Sequence, residues 1–324
     1  MLKGVSSVDI VQSWEVVKEI DFTTVPAPGY TFTEGSSTGS ATPELGNVAW
    51  TCRNLDWASD AGSNAFGGAS SHVKFINGTG FQIYLDGSTA VGGNYYSTFM
   101  GNTQILCDIS GSSGLVPDFD HSDTICLQVL LTSSYTGGAS GQYVATSFVV
   151  SDGGYGYYTD SATTTGNFYA MQAYQETSAG STLTYYGRYG GGLRSPVATL
   201  GDPWHYFATG RTDRPSFYEL VATPGAGWIG SVASTGSSGV ALTDFPDPLT
   251  TAEFQSMGNE QLVKGYLIAD MPGGAPLGYT DVPQWALRPS NMKLSLSSRV
   301  GGTLGVDHTV NYTKLRVLRR PRHD

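Results

Sequence analysis

Residues Thr124 to Thr132 read Thr-Ile-Cys-Leu-Gln-Val-Leu-Leu-Thr, and no other stretch limits the fold as tightly. Apolar side chains fall on both parities of this run, which predicts a central strand covered on both sides. Other segments alternate more simply. From Trp14 to Phe22, the residues Trp14, Val16, Ile20 and Phe22 fall on one face, and Glu15, Glu19 and Asp21 on the other. That period of two predicts a half-buried strand, ended by Val25-Pro26-Ala27-Pro28-Gly29. Short strands are expected over 48–52, 73–76, 81–85, 104–109, 167–175, 183–189, 205–209, 216–222, 228–233, 262–269, 292–297 and 308–318. Tyr143 to Val150 is expected to pair with the central run across the loop Ser133–Gly141. Helical signal is confined to Thr250–Met257, where Thr250 and Glu253 fit a capping box.

Many strands separated by long Gly/Ser-rich loops, with little helix, predict an all-β fold, a sandwich or a barrel. Residues 1–13 read as an N-terminal segment and possible anchor. Residues 14–324 read as one large sandwich domain with its first and last strands adjacent. The acidic face of the first strand would then meet Lys314 and Arg316 of the last, each matched pair contributing roughly 0.2–1 kcal/mol.

Charge is spread unevenly. No lysine or arginine occurs from Phe75 to Gly187, while five of the 17 basic residues lie in the last eleven positions: Lys314, Arg316, Arg319, Arg320 and Arg322. Charged residues make up 14% of the chain, against roughly 25% in ordinary globular proteins, so neutral polar side chains supply much of the surface. A net charge of −10 argues against general nucleic-acid binding, which needs a basic footprint. The basic end reads either as a docking element for an acidic partner or as a closing strand with a basic exposed face. Cys52, Cys107 and Cys126 are odd in number, lack CxxC spacing, and read as reduced buried thiols. The amino terminus shows no secretory signal, and no apolar run is long enough to span a membrane. The sequons at Asn77 and Asn311 read as chance matches.

The strand from Trp14 to Phe22, the long antiparallel series and the returning segment Asn311-Tyr-Thr-Lys-Leu-Arg-Val-Leu318 together resemble a concanavalin A-like (laminin G-like) jelly roll. The Gly/Ser/Thr/Tyr-rich, lysine-poor style resembles bacteriophage virion proteins such as head decoration proteins and fibres. The resemblance implies a structural or adhesive protein of a virion, synthesised in the host cytoplasm, with other virion proteins as partners and a homo-oligomeric state. It supplies no motif that can be carried over residue by residue.

Candidate sites each have an ordinary structural reading beside the functional one. Asp118, Asp120 and Asp123 form the densest carboxylate cluster. They could supply oxygens to calcium, but the glycine and distal glutamate of an EF-hand are missing, and the favoured reading is a polar turn leading into Thr124, with Asp123 capping backbone donors. No other cofactor is expected. Gly225-Ala226-Gly227-Trp228-Ile229-Gly230 matches GxGxxG but is flanked by turn and strand residues, so a hairpin or bulge is the expected structure. There is no Glu-x-Asp-x-x-Glu strand, no GxSxG elbow and no HExxH among the five histidines. Tyr95, Tyr96, Tyr155, Tyr157, Tyr158, Tyr185 and Tyr186 lie within or beside the cation-free stretch. Tyrosine among Ser and Gly is a recognition vocabulary, and it is also good strand material. The leading expectation is a non-enzymatic virion protein working through protein–protein contacts. A lectin-like module recognising host surface glycan and a polysaccharide-degrading enzyme are the alternatives.

Overall fold

The computed structural model describes residues 13–24, 29–32, 37–38, 42–53, 65–66, 71–86, 90–91, 99–119, 123–136, 142–152, 166–177, 183–194, 204–211, 215–223, 227–234, 243–245, 247–248, 261–263, 266–270, 292–302 and 307–320. Its strands in chain order begin with β1 (Glu15–Asp21), β2 (Tyr30–Phe32), β3 (Thr51–Arg53), β4 (Ala65–Phe66), β5 (His72–Ile76) and β6 (Gly80–Leu85). Next come β7 (Ala90–Val91), β8 (Phe99–Asp108), β9 (Thr124–Thr136), β10 (Gln142–Asp152), β11 (Gly166–Thr177) and β12 (Leu183–Arg194). The series ends with β13 (Trp204–Arg211), β14 (Pro215–Thr223), β15 (Gly227–Ser234), β16 (Gln261–Val263), β17 (Tyr266–Asp270), β18 (Met292–Gly302) and β19 (Asp307–Arg320). Two large antiparallel sheets hold nearly all of them. One has ten strands in the order β16-β17-β15-β14-β9-β19-β6-β5-β2, with β1 also paired to β19; the other runs β13-β12-β11-β10-β18-β8-β3. The chain is an all-β sandwich.

β9 is the central strand of the ten-stranded sheet, with β14 on one side and β19 on the other. Ile125, Leu127, Val129 and Leu131 enter the core between the sheets, and Cys126, Gln128 and Leu130 are buried on the opposite face. The expected pairing of residues 143–150 with this strand does not occur. β10 lies in the other sheet, between β11 and β18. The reason is saturation: β19 and β14 already take the ladder groups on both sides of β9, so the chain crosses to the second layer.

β1 runs antiparallel to β19, with Glu19 opposite Arg316 and Asp21 opposite Lys314. The expected single apolar face of the first strand is corrected by an irregularity between Val16 and Lys18. An extra residue there exchanges the faces. Ile20 and Phe22 enter the main core, Val16 is 50% exposed, and Trp14 packs on the far side of the sheet against Cys126, Val221 and Leu318. The strand also ends at Asp21, before the prolines, because the Asp21 carboxylate accepts the Thr23 amide at 2.9 Å and fixes a 3-10 turn over Phe22–Thr24. Residues 262–269 form two strands, β16 and β17, where one was expected. The Thr250–Met257 segment lies outside the described residues.

The core differs along its length. Near β5 and β6 it is aromatic: Phe22 meets Trp50 edge-on at 5.4 Å, and Phe32 stacks on Phe81 at 5.3 Å. Full burial of each such ring is worth about 1.5–3 kcal/mol. The buried Trp50 indole donates to the Leu45 carbonyl at 3.2 Å. Gly80, at φ +107°, has no room for a side chain, because a Cβ there would stand 2.5 Å from the Tyr312 carbonyl oxygen. Elsewhere the layers are joined by polar bridges. The Tyr218 hydroxyl reaches Thr146 Oγ1 at 2.5 Å, the Tyr312 hydroxyl donates to the Ser297 carbonyl at 2.7 Å, and Ser298 Oγ lies 2.9 Å from His308 Nδ1. Burial pushes the Tyr312 phenol well up, and the neighbouring Tyr218 adds to that rise.

Candidate functional site

Side chains alternate along a strand, so the register of the seven-stranded sheet divides its positions into core rows and outward rows. Leu294, Leu296, Phe148 and Val150 belong to the core; Ser295, Ser297, Ser147 and Val149 occupy the intervening positions on the other face. From β3 to β12, the register aligns Arg53, Gln104, Ser297, Ser147, Gln172 and Arg188 in one row, and Tyr206 of β13 continues it. Two residues along, the register aligns Asn102, Arg299, Ala145, Tyr174 and Tyr186. Strands about 4.8 Å apart make the seven-residue row about 29 Å long. Short hydroxyl side chains lie at its centre, where Ser147 and Ser297 are buried. On the same face Lys293 pairs with Asp108 at 2.5 Å.

The outward face of the ten-stranded sheet has another character. Its register sets Glu19, Arg316, Gln128 and Glu219 in one row across β1, β19, β9 and β14. Gln128 is 0% and Glu219 2% exposed, although both lie outside the main core. A buried carboxylate needs donors. Glu219 Oε2 accepts Gln128 Nε2 at 2.6 Å and lies 3.5 Å from Cys126 Sγ, while Gln128 Oε1 accepts Arg316 Nε at 3.0 Å. Burial, then the Glu219 charge, raises the Cys126 thiol well above its usual range. Phe245 packs on Leu130 and Phe217, with the Arg316 guanidinium 4.6 Å from its ring centre.

The proposed docking cations have intramolecular partners. Lys314 reaches the Thr243 carbonyl at 3.2 Å and Asp244 at 3.5 Å, and Arg320 lies 5.0 Å from the Trp14 ring centre. Arg319 forks between two carboxylates, Nη1 to Asp118 and Nη2 to Asp123, each at 2.8 Å. Its guanidinium is raised mainly by the Asp118 hydrogen bond, with burial opposing. Two members of the proposed calcium cluster thus clamp the loop before β9 to the closing strand. Among the described residues, no group of three or more His, Cys, Asp or Glu could hold a metal ion.

Of the tyrosines singled out, Tyr185 and Tyr186 lie in β12, with Tyr185 opposite Gln175 and Arg211, and Tyr186 opposite Tyr174. Tyr95, Tyr96, Tyr155, Tyr157, Tyr158, Asp120 and Arg322 lie outside the described residues. The end of the GxGxxG match, Gly227 to Gly230, opens strand β15, which pairs antiparallel with β14. Cys52, Cys107 and Cys126 are buried and free. The Ser298–His308 pair joins the two sheets within the interior, where it serves as a bridge. Sequence reasoning missed Glu219 and Gln128, although a glutamine at the centre of an otherwise apolar run was a signal that a polar partner must cover it.

The fold is an antiparallel β-sandwich of two large sheets. No family model matches the chain, and no curated protein does either. Among solved structures, it is similar to the lectin UEA-II complexed with galactose, at 9% identity and a TM-score of 0.32 over 91% of this chain and 100% of that one. It is also similar to an alginate lyase double mutant in complex with an alginate tetrasaccharide, at 11% identity and a TM-score of 0.30 over 94% of this chain and 97% of that one.

Proposed function

We propose that this protein is a non-catalytic carbohydrate-binding β-sandwich. The seven-stranded sheet carries the reading: Gln104, Gln172, Arg188 and Tyr206 hold places in one transverse row of the register, on either side of the buried Ser297 and Ser147. Sugar hydroxyls donate and accept at once, so a ligand made of them is met by amides and hydroxyls, which do the same. Tyrosine adds an apolar ring for sugar faces.

The virion-assembly reading drew on the contrast between a cation-free middle and basic residues on the closing strand, offered there for docking. Lys314, Arg316, Arg319 and Arg320 are engaged within the chain, so that contrast no longer supports it. The test is retention of the full chain on a broad panel of immobilised polysaccharides. Binding to at least one is expected, weakened about tenfold by Gln172→Ala with the circular dichroism unchanged. Silence across the panel overturns the proposal, and release of sugar ends from a bound polymer overturns its non-catalytic part.

A further inference from the structure

The ten-stranded sheet changes character along β19, where a register shift between Tyr312 and Lys314 divides its outward face. Past the shift, Arg316 donates to the buried Gln128. Before it, the register aligns Thr31, Lys74, Gln82, Asn311 and Thr132 across β2, β5, β6, β19 and β9, a row about 19 Å long. Beside it run His72, Tyr84, Thr309 and Ser134. Thr31 and Ser134 are exposed and the others half-buried, so water reaches every position of both rows.

The middle of this surface is one hydrogen-bonded chain. Asn311 Nδ2 donates to Thr132 Oγ1 at 3.3 Å, Gln82 Nε2 donates to Asn311 Oδ1 at 2.9 Å, and Gln82 Oε1 lies 2.8 Å from His72 Nε2. The Gln82 oxygen only accepts, so His72 Nε2 is the donor. An amide side chain has two N–H donors and two carbonyl lone pairs, and the chain uses one of each at Gln82 and at Asn311. Each amide therefore keeps one donor and one acceptor, held in direction by its neighbours on paired strands. A sugar hydroxyl, which donates and accepts at once, is the matching partner. Tyr84 stands beside the chain, its ring 5.3 Å from that of His72 and its hydroxyl hydrogen-bonded to Asp307. A ring so placed can cover the C–H face of a sugar.

Charge decides the class of sugar. Lys74 and Asp307 bring one charge of each sign to this surface, which offers a polyanion no net counter-charge. The whole chain, at −10, repels it further. We infer that the outward face over β5, β6, β19 and β9 binds a neutral glycan, whose hydroxyls pair with the remaining donor and acceptor of Gln82 and of Asn311. The inference rests on the carbohydrate-binding reading, but not on the seven-stranded sheet.

The experiment titrates the full chain with short glucan, mannan and galactan oligosaccharides and with a uronate oligosaccharide, following the side-chain amide resonances of Gln82 and Asn311. Short ligands are used because a long polymer can engage both sheets at once. One neutral oligosaccharide is expected to shift both amides saturably, and Asn311→Ala to weaken its binding about tenfold. Should that variant misfold, Ser134→Arg leaves the amide chain intact, sets a bulky side chain on the neighbouring row, and should weaken binding as much. A sugar that binds without moving either amide, or with unchanged affinity for Ser134→Arg, overturns this inference and leaves the carbohydrate reading standing. Binding to no glycan overturns both. Uronate binding tighter than every neutral sugar overturns the neutral class, and self-association abolished by Ser134→Arg in the absence of sugar assigns the face to a second copy of the chain and overturns the inference.

Discussion

On the outward face of the ten-stranded sheet, cations end on groups of the same chain. Arg316 reaches Gln128 and Phe245, Lys314 reaches Asp244, and Arg320 covers Trp14. Across the sandwich, the seven-stranded sheet arranges Arg53, Arg188 and Arg299 in rows with amides, serines and tyrosines. The same residue type is tied to partners of its own chain on one face and stands in register with amides and hydroxyls on the other. The difference lies in what stands in the neighbouring positions. Beside Arg316 are a buried carboxamide and a buried carboxylate; beside Arg188 in the register are Gln172 and Tyr206. Substitutions around Arg316 should therefore cost stability, and substitutions around Arg188 should cost binding.

The largest effect that separates the faces is expected at Glu219. Its carboxylate accepts Gln128 at 2.6 Å within a site that is 2% exposed. Glu219→Ala removes the acceptor and leaves the buried Gln128 amide short of a partner, at a cost of about 2–4 kcal/mol in denaturant unfolding. Polysaccharide affinity of the folded fraction should not change. A loss below about 0.5 kcal/mol, or a matching loss of affinity, would erase the distinction between the faces.

A smaller loss is expected at the Arg319 clamp. Arg319→Ala leaves Asp123, 3% exposed, without its guanidinium, and should cost about 1.5–3 kcal/mol. The lower part of that range is favoured because Arg319 Nε is itself buried without a hydrogen-bond partner. The folded guanidinium is raised above its unfolded value. From neutral pH up to the ordinary arginine range its contribution is therefore full, and it is lost as pH rises through the higher folded value. Unfolding of wild type and variant from neutral to moderately alkaline pH should keep a constant gap, and a gap that closes within that window would assign the clamp to another group.

Much of this architecture was legible because local pattern and layer agree. The run from Thr124 to Thr132 announced burial on both faces, and the opposed charges of β1 and β19 mark two strands that lie side by side. What failed was long-range or depended on one residue. The extra residue near Val17 leaves no trace in an alternating pattern, yet it sends Trp14 and Ile20 to opposite faces. Assigning β9 and β10 to one sheet followed from their closeness in sequence, whereas β19, nearly two hundred residues away, held that edge. The polar row of the seven-stranded sheet was hidden for the same reason. Arg53, Gln104, Ser297 and Gln172 are scattered along the chain, and only the ladder brings them into line.

The smallest effect is expected at Lys314, and it tests how far the closed face reaches. Its contact with Asp244 spans 3.5 Å, and the Asp244 side chain is 89% exposed. Water screens such a pair and the lysine loses freedom to make it, so Lys314→Ala should change stability by no more than about 0.5 kcal/mol. The Thr243 carbonyl, also accepting from Lys314, is equally able to turn to water. If the segment around Phe245 were held over the sheet by this lysine, the cost would exceed 1 kcal/mol, on the scale of a hydrogen bond to a charged group. A small cost instead assigns the cover to Phe245 packing on Leu130 and Phe217. Phe245→Ala beside Lys314→Ala in the same unfolding series decides between a cover held by charge and one held by an apolar ring.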